Sequence, residues 1–129
     1  MRKLLIVEDE SDFVIMLGPQ AKSRGFVCEI DMKGSECISK AIAFKPEAIL
    51  LDMNLPDISG LGLIQEIRNH KDIAHIPIIV LSALNQSDVV NEAMNRGANA
   101  YFAKGCPISE LFETINEYTM ASRTSEQHA

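Results

Sequence analysis

The chain has no cysteine framework. Its three cysteines, Cys28, Cys37 and Cys106, form an odd, widely spaced set. They supply neither disulfide pairs nor metal-ligand spacing, and read as small core or surface residues in a reducing compartment. Basic residues are not in excess: 12 Lys and Arg stand against 18 Asp and Glu, a net charge of -6. That balance argues against direct nucleic-acid binding. No apolar run approaches the length of a membrane span. The apolar stretch at residues 4–7 is too short for a signal peptide, and Glu8 and Asp9 follow it at once. No repeat or low-complexity segment is present. These absences point to a cytoplasmic protein with no membrane partner. What is there is ordinary: 129 residues, 47% hydrophobic and 23% charged, enough for one domain with a real core.

Five apolar runs alternate with five helical patterns. Residues 3–7 read as a first strand, closed by Glu8-Asp9-Glu10. Ser11 or Asp12 can cap a helix ending near Gly25, with a kink expected at Gly18-Pro19. Residues 26–31 form a loosely alternating second strand, placed near a sheet edge. Residues 34–44 carry Cys37, Ile38, Ala41 and Ile42 at helical spacing, and Lys45-Pro46 ends them. Residues 47–51 are a third strand. Residues 60–70 are a third helix, with Leu61, Ile64 and Ile67 on one face.

A loop at 72–76 precedes residues 78–81, the clearest buried strand, and Ser82-Ala83 follow it. Residues 87–96 are a helix stopped by Gly97, and 99–103 a short fifth strand. Pro107 suits the first position of a last helix built on Ile108, Leu111, Phe112 and Ile115. From 121 the chain is polar and aperiodic. The predicted organisation is therefore a single domain over 1–120 and a flexible tail over 121–129. Such alternation implies an α/β protein: a doubly wound parallel sheet with helices on both faces.

In an open parallel sheet, ligands sit outside the carboxyl ends of the strands. Those ends carry Glu8 and Asp9, then Asp52, then Ser82, then Lys104. Each has a bland reading alone: a solvated turn, a strand end, a helix cap, a surface charge. Together they place three carboxylates, a hydroxyl and an ammonium on one edge. Crowded carboxylates raise a pKa or bind a hard divalent cation through oxygen. Magnesium, or manganese, suits them, and the backbone carbonyl of Asn54 is a further candidate ligand. A metal, an ammonium and a hydroxyl around one aspartate suit phosphoryl transfer to that aspartate.

At this point residues 1 to about 120 resemble the receiver domain of bacterial two-component response regulators. The acidic pair matches Glu8 and Asp9. The phosphoacceptor motif matches Asp52-Met53-Asn54-Leu55-Pro56 through Gly60. The hydroxyl switch residue and its small neighbour match Ser82-Ala83, the switch aromatic matches Tyr101, and the lysine matches Lys104. The resemblance implies a flavodoxin-like five-stranded sheet of order 2-1-3-4-5 with five helices. It implies that Asp52 accepts a phosphoryl group from a histidine kinase or histidine phosphotransfer protein. Magnesium would be held by Asp9, Asp52 and the Asn54 carbonyl, with Glu8 acting mostly through water.

The resemblance also puts Met53, Ser82, Ala83 and Lys104 around the phosphate. Ser82 and Tyr101 would report it to a downstream effector, and Leu84 would overlook the phosphoryl group. Such a domain is a phosphoprotein switch, not an enzyme beyond its own phosphorylation and dephosphorylation. One departure concerns the loop after Lys104. The family usually has proline there and this chain has Gly105, so a trans bond and a Lys104 sited away from Asp52 are expected. Three alternatives remain. A dehalogenase-type phosphatase would want an aspartate where Asn54 stands. A flavin-binding relative would want a Ser/Thr/Gly-rich loop where Glu8-Asp9-Glu10 stand. A degenerate receiver used only for docking would not need the acidic set.

Overall fold

A computed structural model describes the backbone of residues 2–128 and the side chains of residues 2–120. In chain order the elements are β1 (Arg2–Val7), α1 (Ser11–Ser23), β2 (Phe26–Asp31), a 3-10 turn (Gly34–Glu36) and α2 (Cys37–Phe44). Then come β3 (Ala48–Leu51), α3 (Gly60–Asn69), β4 (Ile78–Ser82), α4 (Ser87–Arg96), β5 (Ala100–Ala103) and α5 (Ile108–His128). The five strands form one parallel sheet of order β2-β1-β3-β4-β5, the order that the resemblance implies. Among the described residues no helix is long and apolar enough to cross a membrane.

Strand alternation splits the core in two. Leu5 and Val7 of β1 join Ile49, Leu51, Ile78 and Val80 on one face, under residues of α2, α3 and α4. Leu4 and Ile6 join Ala48, Leu50, Ile79 and Leu81 on the other, under α1 and α5. Every residue of β3 and β4 is buried, as their unbroken apolar runs require of strands covered on both faces. Each large aliphatic side chain so buried contributes about 1.5–3 kcal/mol. Because β3 lies in the middle of the sheet, Asp52 just past its end inherits the stiffest support.

The helix expected through Gly18-Pro19 is present, and two other boundaries shift. Pro19 lies inside α1, which continues through it to Ser23. The segment from Gly34 opens as the 3-10 turn, because the Asp57 carboxylate takes the amides of Gly34 and Ser35 (both 2.9 Å). The last helix begins at Ile108, with Pro107 just outside it accepting from the amides of Glu110 and Leu111. Helical backbone runs to His128, where the sequence suggested an aperiodic stretch from 121. The expected flexibility of 121–129 concerns side chains, and a final residue, outside the described residues. The three cysteines are free; Cys37 is buried and its thiol is pushed up to about 12 by that burial.

Gly60 opens α3 pressed against the loop after β3, its amide donating to the Met53 carbonyl at 3.0 Å. A Cβ there would lie 2.5 Å from Met53 Cα, a distance backbone cannot tolerate. Gly60→Ala is therefore expected to lose about 1–3 kcal/mol of stability in urea unfolding. Gly18→Ala, whose Cβ would meet nothing within 4 Å inside α1, should be neutral or stabilising. Equal stability of the two variants would remove the close approach as a constraint.

Candidate functional site

Four side chains reach the carboxyl edge of the sheet from residues at or one step past a strand end. The Glu8 amide donates to Asp31 O, the Asp52 amide to Val7 O, and the Lys104 amide to Ser82 O, each at 2.9 Å. Sheet-type bonding thus extends one residue beyond β1, β3 and β5, and fixes the origin of each side chain. Ser82 closes β4 and is fully buried.

Three of them, Glu8, Asp52 and Lys104, converge, and Glu10 joins them. Lys104 Nζ lies 3.0 Å from Glu8 Oε1, 3.0 Å from Glu10 Oε1 and 3.3 Å from Asp52 Oδ2. It also sits 4.3 Å from the centroid of the Phe13 ring on α1, within cation–π range. Asp52 is only 3% exposed and Glu8 only 2%. The second oxygen of each buried carboxylate accepts a backbone amide: Glu8 Oε2 from Glu10 (3.1 Å) and Asp52 Oδ1 from Asn54 (3.2 Å). Both carboxylates are therefore fixed in orientation. One carboxylate oxygen from each of Glu8, Glu10 and Asp52 lies within 4.8 Å of the others.

Burial and charge together set the proton affinities. Burial pushes Glu8 up to about 7 from an ordinary 4.5; its hydrogen bonds to Lys104 and to the Glu10 amide pull the other way, and Asp52 adds to the rise. Burial pulls the Lys104 ammonium down, but Glu8, Glu10 and Asp52 together outweigh it and the net shift is upward. The two directions are compatible. Three carboxylates against one ammonium leave negative charge in excess, and a proton on Glu8 relieves it while the lysine stays charged.

Several sequence-derived residues lie beyond the ion cluster. Asp9 is half-buried and is not one of the three clustered carboxylates. Asn54 is exposed and bridges to Ser59. Met53 is buried, and Ala83 is exposed in the loop after β4. Ser82 Oγ accepts the Leu84 amide at 3.2 Å, and the Tyr101 hydroxyl donates to the Leu84 carbonyl. Burial raises the Tyr101 hydroxyl, with the charge of Asp52 adding to it against a hydrogen bond to Ser82.

The Lys104–Gly105 bond is trans, as expected, and Gly105 takes φ +101°, a left-handed value natural to glycine. The expected displacement of Lys104 from Asp52 is not found: the ammonium is in contact with it. Glu10 was not among the residues singled out from the sequence. The signal was alternation: carried past Val7, a period of two puts Glu8 and Glu10 on one side and Asp9 on the other.

The donor set is all oxygen and acidic, which fits a hard divalent cation. A family model described as the response regulator receiver domain matches residues 4–116. The chain is 37% identical over 125 residues to the transcriptional regulatory protein KdpE of Staphylococcus aureus, covering 97% of this chain and 53% of that one. It thus spans about half the length of that regulator. It is 26% identical to the polar-differentiation response regulator DivK of Brucella anthropi, covering 91% and 95% of the two chains. Its fold matches the receiver domain of the sensor histidine kinase PA1611 of Pseudomonas aeruginosa PAO1 with TM-score 0.84, 25% identity, and 92% and 97% coverage. That structure carries a magnesium ion coordinated in its active-site cleft.

The Glu8 shift has a measurable sign. Its proton affinity is raised in the folded protein, so its contribution to stability is complete below about 4.5 and is lost as pH rises through about 7. In the metal-free protein, Glu8→Gln should remove a fall on the order of 1–3 kcal/mol between pH 5 and pH 8. Asp31, also raised by burial, contributes in the same direction, so the comparison is between wild type and variant in urea at both pH values. Parallel pH profiles would contradict the assignment.

Proposed function

This chain belongs to the response regulator receiver domain family, and from that premise we propose that it is a phosphorylation-dependent switch whose phosphoacceptor is Asp52. One observation carries the reading. Asp52 is a buried carboxylate past the central strand, with one oxygen 3.3 Å from an ammonium and the other on a backbone amide. Such a group is oriented before any donor arrives, and orientation is a large part of what phosphoryl transfer asks of a protein.

In the proposed step an Asp52 oxygen attacks the phosphorus of a phosphohistidine on a kinase or phosphotransfer protein. The phosphorus–nitrogen bond breaks, its electron pair returns to the imidazole, and an acyl phosphate remains on Asp52. Lys104 supplies a compact positive charge to one phosphoryl oxygen. Met53, Ser82 and Ala83 would supply donors to the others. Asp9, Asp52 and the Asn54 carbonyl would hold magnesium or manganese, with Glu8 acting mostly through water. When bound, such a cation offsets charge on the phosphoryl oxygens.

The switch follows from the same contacts. Once drawn to the phosphoryl group, Ser82 Oγ gives up the Leu84 amide. The Leu84 carbonyl, which receives the Tyr101 hydroxyl, then moves with its loop. Phosphate shifts the balance only through such differential contacts. The readers are effector proteins or domains, and the setting is the cytoplasm.

Incubation with magnesium and a small phosphodonor should add one phosphate mass to the intact protein, and Asp52→Asn should take up none. Labelling of that variant at the wild-type yield would end the reading of Asp52. Separately, Asp9→Ala should weaken magnesium binding by about tenfold or more, as loss of one charged ligand does, in isothermal titration. An unaltered isotherm would strike Asp9 from the metal set.

A further inference from the structure

An ammonium has three hydrogens, and the three on Lys104 face three carboxylate oxygens: Glu8 Oε1, Glu10 Oε1 and Asp52 Oδ2. Before Lys104 can donate to a phosphoryl oxygen, one of these contacts must open. The three are unequal. Glu8 and Asp52 are buried, and the second oxygen of each is held by a backbone amide. Losing the ammonium would leave either carboxyl group buried without its cation, as a desolvated charge or a group forced to take a proton. The Glu10 side chain is 54% exposed, so water replaces the lysine there at little cost. The Phe13 ring, 4.3 Å from Nζ, keeps the ammonium in place through an exchange of one partner.

We propose that Glu10 is the releasable partner of Lys104: a positioning residue that holds the third ammonium hydrogen in the unphosphorylated protein and yields it to a phosphoryl oxygen on Asp52. The inference rests on the reading of Asp52 as phosphoacceptor. It adds that a residue outside that machinery sets how readily the lysine is freed. Glu10 acts through Lys104, and this separates it from a carboxylate that repels an anionic donor or attracts the metal. Those effects need no lysine.

A double-mutant cycle tests it. The initial rate of phosphate incorporation from a small phosphodonor, at saturating magnesium, is measured by intact mass. The four proteins are wild type, Glu10→Gln, Lys104→Ala and the double variant. Glu10→Gln should accelerate incorporation by about two- to fivefold, the range of an exposed ion pair, and Glu10→Asp should restore a rate near wild type. In the Lys104→Ala background the same change should have no effect. An equal acceleration in both backgrounds, or none in either, overturns the proposal. A second readout needs no phosphorylation: acylation of lysines by a neutral reagent, followed by peptide mass spectrometry. Lys104 should react faster in Glu10→Gln than in wild type while exposed Lys22 is unchanged; equal Lys104 rates overturn the proposal. Wild type that takes up no phosphate would fault the reading of Asp52, and the acylation rates would then decide the role of Glu10 alone.

Discussion

The ammonium of Lys104 is the interaction on which the whole carboxyl edge of this sheet depends. A parallel sheet brings the ends of all its strands to one side, whatever charges they carry. Here it brings Glu8 from β1 and Asp52 from β3 into a nearly dry position. Several kcal/mol of desolvation cost attach to each such charge left alone. Lys104 meets both from beyond β5, two strands away from β3. Charge balance therefore links β1, β3 and β5 through a single atom. Any event that adds charge at Asp52, or moves the end of β5, is felt by the other two.

Much of the scaffold was legible because its strands are short, unbroken apolar runs and its helices end on strong signals. The run at 78–81 and the helix at 87–96 before Gly97 are found where periodicity put them. Strand order was not legible from periodicity, since alternation says parallel but not which neighbour; it came with the family resemblance. The 3-10 turn at Gly34–Glu36 was hidden for another reason. Its amides are held by Asp57, more than twenty residues away, and local spacing cannot report a distant cap. The site was legible as residue types on strand ends. Its charge pairing was not: Glu10 matters only because Lys104 reaches it, and the position of Lys104 was judged from the freedom of Gly105. Backbone freedom permits many paths, and three carboxylates choose among them.

Tyr101 illustrates why packing and signalling readings need not compete. Its ring packs against the core cluster on the α2–α4 face, as an ordinary strand aromatic would. Its hydroxyl reaches past β4 to the Leu84 carbonyl, and the Leu84 amide is bonded to Ser82 Oγ. One residue of the β4–α4 loop is thus held at both its backbone groups by side chains from two strands. A packed ring is a good reporter because its body is fixed and only its polar tip has a choice of partners.

The two loops flanking Asp52 are held very differently. The segment after β3 is tied down repeatedly: Asn54 N on Asp52, Gly60 N on Met53, the Asn54–Ser59 bridge, and Asp57 on the 3-10 turn. The segment after β4 is exposed from Ala83 to Ser87. It is secured chiefly by the two bonds to Leu84, one from the Tyr101 hydroxyl and one to Ser82 Oγ. Exposed segments with few buried contacts open at the lowest free-energy cost. Added charge at Asp52 therefore meets a stiff wall on the β3 side and a soft one on the β4 side. The direction in which such a site transmits strain is set by that asymmetry, before any partner is considered.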